Sequence, residues 1–298
     1  MSPRAWIVVD LGFGDAGKGT ITDALVRPTK AQWVVRYNGG AQAGHNVVTS
    51  DGRHHTFSQF GAGSFVTGVK TYLAPKVIVH TGALLFEARH LSSVGVVDAL
   101  ERLRIAEECR VTTPFHQAAG RIRDVGRGAA AHGTCGVGVG ETVRDALAHE
   151  GDVLRAVDIR NSEDHIKSML ERIRLRLLAS LPAQHRDDRA EDEWELLRDP
   201  DVAERWLQLI DPFRRNAQIV PDLEMHPELQ TRGDIVFEGA QGVLLDEWYG
   251  FHPHTTWSTC TSQWAEEWIA QAKLPHEAFR LGILRTYATR HGQGPLPS

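Results

Sequence analysis

The sequence predicts an α/β fold with a mainly parallel central sheet flanked by helices, and three observations carry that expectation. Short apolar runs recur at residues 6–9, 33–36, 77–79, 235–237 and 281–284, with glycines near their ends. Runs of this kind suit strands buried on both faces, as in a parallel sheet. Helical patterns lie between them, and alternation of strands with helices points to βαβ connections. The first two runs also open directly into glycine-rich loops, residues 12–20 and 36–46.

In chain order, the run at 6–9 leads through the first loop into a helix expected over 18–26. The run at 33–36 leads into the second loop. Residues 83–105 form a longer amphipathic helical candidate with a break near Gly95. Residues 163–181 read as a helix with Ile166, Met169, Leu170, Ile173 and Leu177 on one face. Residues 183–205 are dense in charge and carry Trp194, Leu196 and Leu197 at helical spacing. They read as the centre of a solvated helical excursion around 160–216. With no internal repeat and no low-complexity linker, the 298 residues are expected to form one elaborated domain, 1–298.

Composition narrows the function classes. Hydrophobic residues make up 42% and charged residues 24%, the balance of an ordinary soluble protein. A net charge of −5 argues against general nucleic-acid binding, which needs a basic footprint, but leaves room for the phosphates of a small nucleotide. Cys109, Cys135 and Cys260 are too far apart for a disulfide framework or a zinc pattern and fit a reducing cytoplasm. The apolar start is too short for a signal peptide, and no run approaches the roughly 20 residues of a membrane span. A cytoplasmic protein with no membrane partner is expected.

The first loop, Gly12 to Thr20, has Walker A spacing from Gly12 to Gly17-Lys18, with Gly19 where the magnesium-binding Ser or Thr belongs and Thr20 one residue late. Glycines let backbone N–H groups approach phosphate oxygens, and the following helix offers the positive end of its dipole. Lys18 adds a point charge. An Asp among phosphate-directed N–H groups makes sense beside a metal or as a base, so Asp15 is the candidate for both. The alternative is a tight strand-to-helix turn with a chance lysine.

Five segments, in order, resemble those of adenylosuccinate synthetases: Phe13 to Thr20, Arg36 to His45, Gly133 to Gly138, Phe237 to Asp246 and Thr289 to Pro297. The resemblance implies a P-loop-NTPase-related fold and a C–N ligase using Mg2+. Such enzymes use GTP to phosphorylate O6 of a 6-oxopurine nucleotide, and aspartate then displaces the phosphate. By motif, Asp15 is the base and a metal ligand, the Gly44 carbonyl is a second ligand, and His45 stabilises the transferring phosphoryl group. Lys18 is carried over as catalytic, and Gly14, Gly17, Lys18, Gly19 and Thr20 are carried over as holding phosphates. Gln42, Thr134, Arg144, Gln241 and Thr256 are carried over as binding the acceptor nucleotide. The resemblance also implies a homodimer in which Arg144 acts across the interface.

Departures from the family pattern shape the expectations further. The residues after Pro297 that grip aspartate and read guanine in the family have no counterpart before Ser298, so ATP as well as GTP is expected as donor, and the amine is aspartate or another. Ala16 replaces a Glu, Gln42 an Asn, Cys135 a Thr and Val137 an Arg. The acceptor is IMP or a guanine nucleotide, the latter giving a 2-aminoadenylosuccinate-type product. Two competing readings are a non-catalytic purine-nucleotide sensor on the same fold and a P-loop ATPase or kinase of another type. His252-Pro253-His254 is expected to pack or touch a nucleotide edge rather than bind metal. His54 and His55 are expected at the surface or in the core, Cys135 is not expected to be a nucleophile, and Trp248, Trp257, Trp264 and Trp268 are expected in the core or at a dimer contact.

Overall fold

The computed structural model describes residues 2–128, 134–181 and 188–297. Gly133 of the third loop and residues 183–187 of the charged segment therefore lie outside the described residues. The main sheet is built around β1 (Arg4–Asp10), which pairs in parallel with β10 (Ile235–Glu238) on one side and β11 (Glu277–Ile283) on the other. Beyond β10 follow β2 (Trp33–Arg36), β5 (Lys70–Leu73), β7 (Leu103–Ala106) and β9 (Gln218–Val220). The order β11-β1-β10-β2-β5-β7-β9 is parallel throughout. Every residue of β2 and β10 is buried, which explains their unbroken apolar runs.

Smaller ladders and helices complete the architecture. β3 (His45–Val48) and β4 (His54–Phe57) form an antiparallel hairpin, and β6 (Ile78–Val79) pairs with β8 (Arg110–Val111). The helices are α1 (Lys18–Thr29), α2 (Thr81–Ser93), α3 (Pro114–Gly126), α4 (Val139–Ala148), α5 (Glu163–Ser180), α6 (Glu191–Arg198), α7 (Val202–Asn216), α8 (Asp222–Leu229) and α9 (Gln263–Gln271).

Three expectations need correction. The helical candidate over 83–105 breaks near Gly95 as expected, α2 ending at Ser93 with Gly95 at φ +91°, but beyond the break residues 103–106 are strand β7 rather than helix. The run at 77–79 supplies only a two-residue strand, outside the main sheet. Val77 is still in the turn after β5, its N–H bonded to Ala74 O at 2.9 Å, and Ile78 N–H is taken by Gly39 O at 2.8 Å. The charged segment is solvated on one side only: α6 and α7 bury Trp194, Leu197, Trp206, Ile210 and Phe213 in the same hydrophobic cluster as the sheet.

The carboxyl ends of β1, β10 and β2 lie side by side, so the loops that follow them converge where ligands bind in open parallel sheets. Asn38 stitches two of these loops together. Its Nδ2 donates to Ala240 O (3.1 Å) and Thr259 O (2.9 Å), and its Oδ1 accepts from Ala240 N–H (2.7 Å). The first loop and the loop after β10 interlock so closely that a Cβ on Gly242 would lie 2.2 Å from Gly12 O and 2.4 Å from Gly14 N. These are backbone atoms and cannot swing away. Gly242→Ala is therefore expected to lower unfolding free energy by about 1–3 kcal/mol in urea titration. Gly151→Ala, where a Cβ would meet nothing within 4 Å, is expected to change it by about 0.5 kcal/mol or less.

Candidate active site

Asp10, the last residue of β1, is buried and organises the first loop. Its Oδ1 accepts from the N–H of Gly12 (2.9 Å) and Gly14 (3.2 Å), and its Oδ2 accepts from Ala16 N–H (2.8 Å) and Lys18 Nζ (3.1 Å). Lys18 Nζ also donates to Gly14 O at 2.8 Å. Burial pulls the Lys18 pKa below its usual value, against the opposing charge of Asp10. The expected phosphate-holding residues are thus split. Gly14 faces the cleft, while Lys18 is sealed beneath the loop and clamps it from below. Thr20 Oγ1 is spent on Asn46 O at 3.0 Å. Gly17 precedes α1 with φ +94°.

The break in the Walker pattern has a packing cause. A Cβ on Gly19 would lie 2.7 Å from the His45 carbonyl carbon and 2.9 Å from its oxygen. Glycine at this position lets α1 press against the first residue of β3.

Asp15, Gln42, Gly44, His45, Thr134, Arg144, Gln241 and Thr256 all line one cleft of about 810 Å³. Asp15 is half-exposed at the cleft wall, and its Oδ2 meets Arg285 Nη1 and His291 Nε2, each at 3.2 Å. No group of three or more His, Cys, Asp or Glu side chains suited to a metal ion occurs among the described residues. The hard oxygen donors of Asp15 and Gly44 nonetheless fit magnesium, which binds through one or two carboxylates together with substrate phosphates and water.

His45 enters the cleft from the start of β3 and is held from behind. Its Nδ1 lies 2.6 Å from Glu238 Oε1, and Glu238 Oε2 accepts from Ala62 N–H at 3.0 Å. Arg36 Nε sits 4.0 Å from the same carboxylate. Burial pulls the His45 pKa down to about 4, outweighing the charge of Glu238. Burial works to raise the Glu238 pKa, but the charges of His45 and Arg36 hold it below the usual range.

The acceptor-side residues differ in how they are held. Gln42 and Gln241 each bury an Oε1 with no hydrogen-bond partner among the described residues, and Gln241 is in the left-handed region at φ +60°. Arg144 projects from α4 into this chain's own cleft and pairs with Glu141 at 3.0 Å. Thr134 N–H is bonded to Asp124 Oδ2 at 3.2 Å. Trp248 and Trp257 are exposed and line the cleft rather than the core; Trp268 is core, and Trp264 is partly buried against it. His252 and His254 line the cleft on either side of Pro253, whereas His55 is buried away from it, with its Nδ1 2.6 Å from His90 Nδ1. Sequence reasoning missed Asp10 and Glu238. The available signal was a charged residue at the end of a buried strand next to a glycine loop. It also missed the pairing of His291 and Arg285 with Asp15, which nothing local announces.

Two outcomes follow from this geometry. Gly19→Ser, which restores the Walker pattern, is expected to lower the melting temperature by several degrees, about 1 kcal/mol or more of overpacking; an unchanged melting temperature would refute the packing account. An unfolded histidine takes up a proton below about pH 6.5, whereas folded His45 stays neutral to about pH 4. Its contribution to stability is therefore complete above pH 6.5 and is lost as pH falls from 6.5 towards 4. Urea titrations across that window should show the decline, and His45→Asn should make it shallower.

Comparison with known proteins agrees with this architecture. The adenylosuccinate synthetase family model matches residues 7–298. Adenylosuccinate synthetase of Psychromonas ingrahamii is 33% identical over 293 residues, covering 98% of this chain and 63% of the relative. That of Mycolicibacterium vanbaalenii is 31% identical, covering 99% and 64%. The chain thus spans under two thirds of the length of these curated relatives. Among solved structures, a fully ligated adenylosuccinate synthetase from Plasmodium falciparum superposes with a TM-score of 0.75 at 21% identity, covering 98% of this chain and 64% of its own. The cyanophage S-2L succinoaminodeoxyadenylate synthetase bound to dGMP and dATP gives 0.64 at 19%, covering 97% and 66%. Both show the shared fold. With strand-end loops in the same order, the same fold and a family match along almost its whole length, this chain belongs to the adenylosuccinate synthetase family.

Proposed function

We propose that this protein is a nucleotide-dependent C–N ligase that phosphorylates O6 of a 6-oxopurine nucleotide and displaces the phosphate with an amine, aspartate first among candidates. The observation that carries the reading is the convergence of Asp15, His45 and Gln241, from three separate strand-end loops, on one cleft. An amide-like oxygen leaves poorly until phosphorylated, and O6 becomes nucleophilic only when a base takes the N1 proton. Asp15, half-exposed at the cleft wall, is that base in this proposal. His45 faces the transferring phosphoryl group, and Lys18 contributes by holding the loop from beneath.

Asp15 and the Gly44 carbonyl would hold Mg2+, which supplies charge neutralisation between donor phosphates when bound. The unpaired Oε1 atoms of Gln42 and Gln241 are buried acceptors that an acceptor nucleotide's N–H or O–H groups would satisfy. Thr134, Thr256 and Arg144 complete that side, with Arg144 the candidate for a role across a homodimer interface. The acceptor is IMP or a guanine nucleotide and the donor GTP or ATP. The dGMP and dATP bound by the phage enzyme support keeping guanine acceptors and adenine donors in the set. Among the described residues no helix is long and apolar enough to cross a membrane.

A second reading, a purine-nucleotide sensor without turnover, is favoured by one observation: Asp15 is engaged by Arg285 and His291 and Lys18 by Asp10. One experiment separates the two. The protein is incubated with Mg2+, IMP or dGMP, ATP or GTP, and aspartate, and products are identified by mass. The ligase reading expects phosphate release with a succinyl-amino adduct of the acceptor, and Asp15→Ala is expected to lower the rate by about 100-fold or more. Tight nucleotide binding without turnover would establish the sensor, and unchanged phosphate release in Asp15→Ala would remove Asp15 as base.

A further inference from the structure

We infer that Glu238 is a positioning residue that fixes the tautomer of His45, with the proton on Nδ1 and Nε2 left for the cleft. Glu238 ends β10 with its side chain completely enclosed, and both of its oxygens are committed. Oε1 lies 2.6 Å from His45 Nδ1, and Oε2 takes the Ala62 N–H at 3.0 Å. Arg36 closes the far side, its Nη1 donating to Ser58 O (3.1 Å) and Phe60 O (3.2 Å), which keeps the guanidinium from swinging towards the ring. A carboxylate held this way can only accept, so the ring nitrogen facing it must be the donor.

The charged groups around the ring are Glu238 from β10, Arg36 from β2 and Lys18 from α1. Of these, only Glu238 accepts a hydrogen bond from the imidazole. The arrangement resembles the carboxylate–imidazole pair of hydrolases, in which the buried acid does not react but selects the tautomer and ring orientation. The close approach of α1 at Gly19 fixes the His45 backbone, so backbone and ring are held from two sides.

The identity of the group that meets Nε2 rests on the proposed ligase reading, but the tautomer does not. The first measurement therefore needs no substrate. Long-range 1H–15N correlation of ring-labelled histidines in the wild-type protein at pH 8, assigned with His45→Asn, is expected to show the Nδ1–H form for His45. A dominant Nε2–H form would overturn the inference whatever the protein catalyses. In Glu238→Gln, the His45 signals are expected to move to a mixture of tautomers. Where turnover is present, kcat is expected to fall on the order of 10²-fold or more, with KM for the acceptor nucleotide changed by less than about 3-fold. A Glu238→Gln protein that keeps the Nδ1–H signature and full kcat would equally overturn it. If the wild-type spectrum is as expected but no adduct forms in the mass assay, the ligase reading fails and the positioning role stands.

Discussion

The Asp10 carboxylate, sealed at the end of β1, accepts from Gly12, Gly14, Ala16 and Lys18, and the remainder of the cleft depends on this arrangement. A glycine-rich loop without an internal partner would sample many backbone conformations, because glycine loses more freedom on folding than any other residue. Here a buried negative charge collects three N–H groups and an ammonium. That fixes the loop's path and so the direction in which Asp15 projects. Removing either member of the buried pair would strand the other charge, a loss of about 3–5 kcal/mol. The same arrangement spends on Asp10 the N–H groups that a Walker-type loop would offer to phosphate.

The second loop and the loop after β10 are held by a different device, Asn38 bonded to both backbone groups of Ala240, with Gly39 packed against the Ala240 Cβ. Strands β10 and β2 end in register and their neighbour β1 runs two residues further, so three loops start close together and are built from residues that leave space for each other. Charge placement follows from this crowding. Glu238 and Arg36 end adjacent strands in register, with Glu238 opposite Arg36 in the ladder, and their partial neutralisation allows two ionic groups to stay behind His45.

Much of this was legible in the sequence. The runs at 6–9, 33–36 and 235–237 announced their strands because a parallel sheet buries both faces. The glycine pattern of the first loop pointed to Asp15 on physical grounds, whereas Gly44, His45, Gln42, Thr134, Arg144, Gln241 and Thr256 could be named only through the resemblance of their segments to adenylosuccinate synthetase motifs. Strands β5 and β9 were not legible: Lys-Thr-Tyr-Leu and Gln-Ile-Val are too short and too mixed to stand out from a helical pattern. The break near Gly95 was legible from the glycine, but amphipathic spacing did not show that residues 103–106 beyond it form β7. The clasp on Asp15 was invisible because His291 lies 276 residues from it and no periodicity encodes that approach.

Gly19 and His45 are best understood as one feature. In isolation Gly19 is a defect, the missing hydroxyl of a magnesium-binding loop. In the structure it is the residue that lets α1 come within contact of the His45 backbone, and any side chain there would push β3 out of the cleft wall. A Ser or Thr at that point would press its Cβ onto the carbonyl and the Cβ of residue 45. Beside the helix the neighbouring strand presents an imidazole, held by Glu238 at its far edge. Asp15, four residues earlier on the loop that Asp10 organises, lines the same cleft as His45.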